Sequence, residues 1–200
     1  IAIIAYRRGM GWGLGSAFVY AVIQQLLGLN SLSYVTTWQS VVAVILLDYI
    51  VAFTVVGFAG IFRNAIKSQA AALTLGWGFV SVLRYACHVI SGATVWAGLS
   101  IPTQAALSYS FIYNATYMLP EAIILAVSAA YIGSVIDFRE EKLRRLVRAN
   151  SGVHAPAMSI VAGLVAAAAV VYDVVEVFSH LQSAESGEFD ITGLAAANWT

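Results

Sequence analysis

The stretch SVVAVILLDYIVAFTVVGFAGIF, residues Ser40–Phe62, carries one charged side chain, Asp48, in 23 positions. A helix rises 1.5 Å per residue, so this run is long enough to cross the ~30 Å hydrocarbon core of a bilayer. It lacks the strict alternation of a membrane β-strand. Outward from it, four further runs have the same character, at about 10–28, 70–98, 106–136 and 157–181. Composition agrees: of 200 residues 60% are hydrophobic and 10% are charged, whereas a soluble domain carries about 25% charged residues. The prediction is a polytopic integral membrane protein, an all-α bundle forming one membrane domain over residues 1–200.

Charges between the runs set the orientation. Arg7 and Arg8 precede the first run, and Arg63 and Lys67 follow the second. Arg139, Lys142, Arg144, Arg145 and Arg148 lie between the fourth and fifth. If successive helices alternate in direction, all three clusters fall on one face, which the positive-inside rule assigns to the cytoplasm. Nine of the ten Lys and Arg residues obey this arrangement, Arg84 being intramembrane. Residues 138–156 then read as a cytoplasmic linker. Leu29–Tyr34, Leu99–Thr103 and Glu185–Asp190 face outward. Net charge is zero, and nothing basic or extended points to nucleic acid. The single cysteine, Cys87, excludes an intrachain disulfide and gives no metal cluster. No cleavable signal peptide is legible, because no small-residue cleavage site follows Arg7 and Arg8.

The two ends are unusual. Ile1–Tyr6 and Ile191–Thr200 are both apolar and too short to cross a membrane, yet laid end to end they make one span. A chain end at mid-membrane would bury a charge or bare polar groups, at a cost of several kcal/mol. The reading is therefore a circularly permuted order in which Thr200 natively precedes Ile1, giving six transmembrane helices. Residues 157–200 would supply the native N-terminal helix and the start of the second. The alternative is a truncated first helix with an unrelated further one. A Thr200–Ile1 peptide in a proteolytic map decides between them.

Intramembrane polar residues are costly, so they default to functional hypotheses. Asp48, Arg84, His88, Asn114 and Glu121 qualify. Arg84 and His88, four apart, share a helix face. Arg84 and Glu121 fall near mid-membrane on neighbouring helices, where each compensates the other's charge; the competing reading is that each finds water or backbone separately. His88, Trp96, Tyr109 and Asn114 lie in the outer halves of their helices, while Trp38 and Tyr49 flank Asp48. One carboxylate, an imidazole, an amide and several aromatic faces suit a flat cationic heteroaromatic ligand, since ring quadrupoles attract cations by roughly 0.5–2 kcal/mol. The competing reading makes Trp and Tyr interfacial anchors, and spacing alone leaves both open. Gly9, Gly11, Gly13 and Gly15 lack the strand and the Lys-Ser/Thr of a phosphate loop, so close helix packing explains them better. Ala162 and Ala166, with Gly163 between, make a small-residue face that is either lipid-facing or a docking surface. No nucleophile-and-base arrangement is present, and the chain does not read as an enzyme.

Several segments share a further pattern. They are Tyr6-Arg7-Arg8-Gly9, Leu47-Asp48-Tyr49 with Ala52-Phe53, Arg84-Tyr85-Ala86-Cys87-His88-Val89-Ile90-Ser91-Gly92 leading to Trp96, and Tyr109 with Tyr113-Asn114-Ala115-Thr116-Tyr117-Met118-Leu119-Pro120-Glu121. From about Ile1 to Ile136 this series resembles the thiamine-specific substrate-binding subunits of energy-coupling factor transporters. The resemblance implies a six-helix subunit that captures thiamine at the outer face of a bacterial membrane. It would dock on a module of one transmembrane coupling subunit and two ATPase subunits. By motif it assigns ligand binding to Asp48, Tyr49, His88, Trp96, Tyr109 and Asn114, with Trp38 as a further pocket aromatic. The carboxylate and Asn114 would hold the aminopyrimidine and the aromatic faces the rings. Ala162 and Ala166 would dock on the coupling subunit, and Gln182–Asp190 would be the lid. No cofactor or metal is implied. The family order, with one helix before the Arg-Arg-Gly segment, also fits the permuted reading. Ile191 and the shorter Asp48 depart from some members, which bears on affinity and on preference among thiamine and its precursors.

Two other classes remain. A self-sufficient secondary transporter would relay protons through Asp48, Arg84, His88 or Glu121, although no internal repeat of the kind such carriers show is visible. A structural or regulatory membrane protein would tolerate alanine at Trp96 and Asn114. With no basic residue in the outer loops, free thiamine is expected to bind better than its diphosphate.

Overall fold

Each of the three longest apolar runs starts at a Ser or Thr whose hydroxyl satisfies a backbone N–H left orphaned at a helix start. Thr37 accepts from the Ser40 N–H at 3.2 Å, Ser68 from Ala71 at 3.3 Å and Thr103 from Ala106 at 3.1 Å. The computed structural model describes residues 1–96 and 101–146, with 163, 168–173, 175, 176, 179 and 180 of a later helical stretch.

The first described helices are α1 (Ala2–Arg8) and α2 (Met10–Leu27), followed by a 3-10 turn at Leu29–Tyr34. The rod α3 (Trp38–Arg63) comes next, then α4 (Gln69–Thr94) and α5 (Gln104–Val135). A two-residue strand β1 (Ile136–Asp137) pairs antiparallel with β2 (Arg144–Arg145), Ile136 opposite Arg145. The rod α3 is not uniform. It is α-helical over Trp38–Val44, a π-helix over Ile45–Val51, α-helical again over Ala52–Thr54 and 3-10 over Val55–Arg63.

Small residues set the packing of α1, α2 and α3. A Cβ on Gly13 would lie 2.6 Å from both the Ala5 Cβ and the Gly57 carbonyl oxygen. The backbones therefore touch without intervening side chains, which is how membrane helices gain contact when lipid is as apolar as the helix itself. Ala5, Ala17, Ala21, Ala52 and Ala59 are wholly buried. At the other side, α4 and α5 pack along their length, and the buried Gln69 fastens their ends. Its Nε2 donates to the Gly133 and Ile136 carbonyls at 2.8 and 2.6 Å, and its Oε1 accepts the Phe138 N–H at 2.8 Å. One side chain thereby satisfies two carbonyls that the end of α5 leaves open.

Helices and membrane-spanning apolar runs agree with the sequence reading, the short β1–β2 pair being a minor addition. The expected span count is met in part. Among the described residues three helices, Trp38–Arg63, Gln69–Thr94 and Gln104–Val135, are long and apolar enough to cross a membrane. The expected first run corresponds to α2, whose 18 residues include Gln24 and Gln25. The run at 157–181 falls largely outside the described residues. Ala162, Ala166, the lid at 182–190 and Ile191–Thr200 fall wholly outside them. The start of the expected linker is more than a tether: Phe138 is buried in one cluster with Tyr6, Ala72, Leu73 and Ala129.

Candidate ligand-binding site

A carboxylate inside a membrane bundle needs partners, and three described side chains reach Asp48. His88 Nδ1 lies 3.0 Å from Asp48 Oδ1, while Ser91 Oγ and Trp96 Nε1 donate to Oδ2 at 2.7 and 2.9 Å. Local structure puts them there. Asp48 is at the centre of the π-helical turn Ile45–Val51, a geometry common where a helix displays a functional side chain. Arg84, His88 and Ser91 recur at helical spacing on α4, so one face of that helix meets the turn. Trp96 follows just after α4 ends, its N–H bonded back to the Ser91 carbonyl at 3.2 Å.

These groups border a cavity of about 500 Å³, whose lining includes Asp48, Tyr49, Phe53, Arg84, His88, Trp96, Tyr109, Tyr113, Asn114 and Tyr117. The volume is in the range of small-molecule sites. The α5 wall is a ladder of tyrosines four apart. Tyr109 and Tyr113 stack with centroids 5.7 Å apart and planes 7° from parallel, and Tyr117 meets Tyr113 edge-on at 5.9 Å. Tyr49 is tied to the loop after α2, its hydroxyl 2.9 Å from Ser31 Oγ and 3.3 Å from the Gly28 carbonyl. Asn114 is held within α5: Nδ2 donates to the Ser110 carbonyl at 2.8 Å, and Oδ1 accepts from the Tyr117 hydroxyl at 2.5 Å. One lone pair of that oxygen remains for a ligand.

The charge balance favours a cation. Arg84 also borders the cavity, but its Nη1 is 2.6 Å from Glu121 Oε1, as the sequence pairing anticipates, and its guanidinium lies 4.9 Å from the Phe53 ring centroid. Glu121 offsets the guanidinium, whereas the described hydrogen-bond partners of Asp48 include an imidazole and no Arg or Lys.

Six of the seven sequence-predicted site residues, Asp48, Tyr49, His88, Trp96, Tyr109 and Asn114, border this one cavity. Trp38 does not; it stands at the first turn of α3 and is 72% exposed. Flanking Asp48 in sequence does not bring it round, because ten residues are nearly three helical turns. Sequence reasoning quoted Ser91, Phe53, Tyr113 and Tyr117 within the shared motifs but gave none of them a ligand-binding role. The i, i+4 recurrence of Tyr109, Tyr113 and Tyr117 was the available signal, and Ser91 was marked by its spacing from His88. Among the described residues no cluster of His, Cys, Asp and Glu fit to hold a metal occurs. The cavity draws on the second half of α4 and the first half of α5, so it lies at the end of the bundle away from Arg63, Lys67 and Arg139.

Residues 1–137, which include every described side chain that lines the cavity, match the family model described as thiamine transporter protein (Thia_YuaJ). The chain belongs to that family. A curated member, the thiamine transporter ThiT of Bacillus subtilis (strain 168), is 35% identical over 136 residues, covering 64% of this chain and 67% of that protein. No solved structure gives a significant match. Membership makes this family protein a transporter rather than an enzyme.

Proposed function

We propose that this thiamine transporter family member is a substrate-binding membrane subunit that captures thiamine from outside the cell in the Asp48 cavity. The observation that carries this reading is the Asp48 carboxylate, oriented by Ser91 and Trp96, lining one cavity of about 500 Å³ with Tyr109, Tyr113 and Tyr117. Thiamine is a cation with two flat rings. The tyrosine faces and Trp96 hold rings and charge, and Asp48 and the open lone pair of Asn114 receive the aminopyrimidine hydrogens. His88, Ser91 and Trp96 fix the carboxylate, so little reorganisation is needed on binding.

Position supports the direction of uptake. The Arg- and Lys-bearing end is cytoplasmic by the positive-inside rule, which leaves the cavity toward the outside of a bacterial membrane. Energy then comes from partners, a transmembrane coupling subunit and two ATPase subunits, with Ala162 and Ala166 as the docking face. The six-helix bundle and the permuted order, with 157–200 as the native start, belong to the same reading.

Thiamine titration of the detergent-purified protein, followed by Trp fluorescence or calorimetry, tests it. Asp48→Ala should raise Kd at least about 30-fold, since a hydrogen bond to a buried charge contributes about 2 kcal/mol. Trp96→Ala should weaken binding as well. Saturable binding that survives both substitutions unchanged would move the site elsewhere.

A further inference from the structure

A second cavity, of about 280 Å³, opens at the other end of the bundle, lined by Tyr6, Arg7, Arg63, Asn64, Phe138 and Arg139. Three guanidiniums, a phenol and an amide converge there, and no carboxylate among the described residues lines the space. Among the described residues none of the three arginines is ion-paired. Two are already oriented by the backbone around them. Arg7 Nη2 donates to the Glu140 and Glu141 carbonyls at 3.3 and 2.9 Å. Arg139 Nε donates to the Tyr6 hydroxyl at 3.1 Å, and its Nη2 donates to the Lys67 carbonyl. The nearby Asp137 carboxylate is turned to the Arg139 backbone N–H at 2.9 Å rather than to a guanidinium.

The Arg63 guanidinium shows no hydrogen bond or ion pair to any described residue, and its room is built into the chain. Gly9, between α1 and α2, has φ 92°, and a Cβ there would sit 3.1 Å from Arg63 Nη1. Glycine at that position admits both the left-handed backbone and the guanidinium. Planar guanidinium forks match phosphate oxygens two at a time. The height of the site identifies the source of such a group: Arg63 ends the membrane-spanning rod and Arg7 lies in the last turn of α1. Within about one turn of these arginines on the same helices, Ile3, Ile4 and Ile61 are exposed, an apolar surface for acyl chains below a headgroup. Basic pockets at helix ends are where anionic lipid headgroups bind.

We propose that the Arg7–Arg63–Arg139 cavity binds the phosphate of an anionic phospholipid headgroup. Native mass spectrometry of the detergent-purified full chain with phosphatidylglycerol, phosphatidylcholine or inorganic phosphate tests this. Phosphatidylglycerol should be retained over phosphatidylcholine. Arg63→Gln should reduce that retention at least about fivefold, the loss of one charge-assisted contact at a half-exposed site. Lys142→Gln, an exposed cation at the same end but outside the cavity, should change it less than about twofold. An unchanged thermal midpoint separates lost binding from lost folding, and Arg63→Lys, with charge kept and fork lost, replaces Arg63→Gln if the latter misfolds, with a reduction of the same sign. Equal losses in the Arg63 and Lys142 variants would show diffuse charge attraction and overturn the site. Retention untouched by either Arg63 substitution would do the same. Arg63-dependent binding of inorganic phosphate without retention of phosphatidylglycerol would overturn the lipid as its source.

Discussion

Arg84 and Glu121 show how a single pair of charges is tolerated inside this bundle. The guanidinium is nearly buried, held by Glu121 at 2.6 Å on one side and by the Phe53 face on the other, while its Nε has no partner. Removing one partner strands a charge, at a cost of roughly 3–5 kcal/mol, whereas removing both exchanges the pair for apolar contact. Glu121→Leu or Arg84→Met alone should thus lower the thermal midpoint in detergent sharply. The double variant should recover at least about 1 kcal/mol relative to the sum. Additive losses would mean that the pair is not a unit. The same logic separates Asp48 from Arg84: both are costly, but Asp48 is compensated by neutral donors and an imidazole that hold its charge toward a cavity, and Arg84 by an opposite charge that cancels it.

Elements carry their function through close approach and through one irregular turn. Two glycines of α4 make a controlled comparison. A Cβ on Gly76 would run into the Ala59 carbonyl of α3, while a Cβ on Gly78 meets nothing within 4 Å. Gly76→Ala should therefore push α3 and α4 apart and lower stability by about 1–3 kcal/mol. Gly78→Ala should be neutral or stabilising by up to about 1 kcal/mol, the helix-propensity gain; both are read as thermal midpoints. The π-helical turn is the second case. A π turn accommodates one extra residue in an α-helix. Deleting Leu47 should convert Ile45–Val51 to α-helix with the flanking parts of α3 left in place, while turning Asp48 and Tyr49 away from the positions the π turn gives them. The expected outcome is a membrane-inserted, folded protein that no longer binds thiamine. Binding retained after that deletion would make the turn incidental.

At the scale of the whole molecule the two cavities sit at opposite ends, one around a carboxylate and one around three guanidiniums. That polarity has a direct test. With Cys87, the only native cysteine, changed to alanine, single cysteines at Lys67 and at Ile101 should react with an impermeant thiol reagent from opposite sides of the membrane. Ile101 should be reached from outside in intact cells and Lys67 only after permeabilisation. Labelling of both from one side would contradict the assignment of Gln69–Thr94 as a single crossing.

The amino-acid order by itself determined the apolar runs and the concentration of positive charge at alternate gaps, because each depends on residues within one helix length. It also marked Asp48, His88, Trp96, Tyr109 and Asn114, since a polar group in an apolar run stands out wherever the run packs. Which of the flagged groups meet was decided only by tertiary structure. Trp38 and Tyr49 look equivalent beside Asp48 in sequence, yet one borders the cavity and the other points to the surroundings. The joining of Ser91 and Trp96 on one carboxylate oxygen depends on a π turn in α3 and on backbone contact between helices. The convergence of Arg7, Arg63 and Arg139 depends on a left-handed residue at Gly9 and on Phe138 folding back into the core. Such contacts join residues tens of positions apart, and local periodicity contains no term that specifies them.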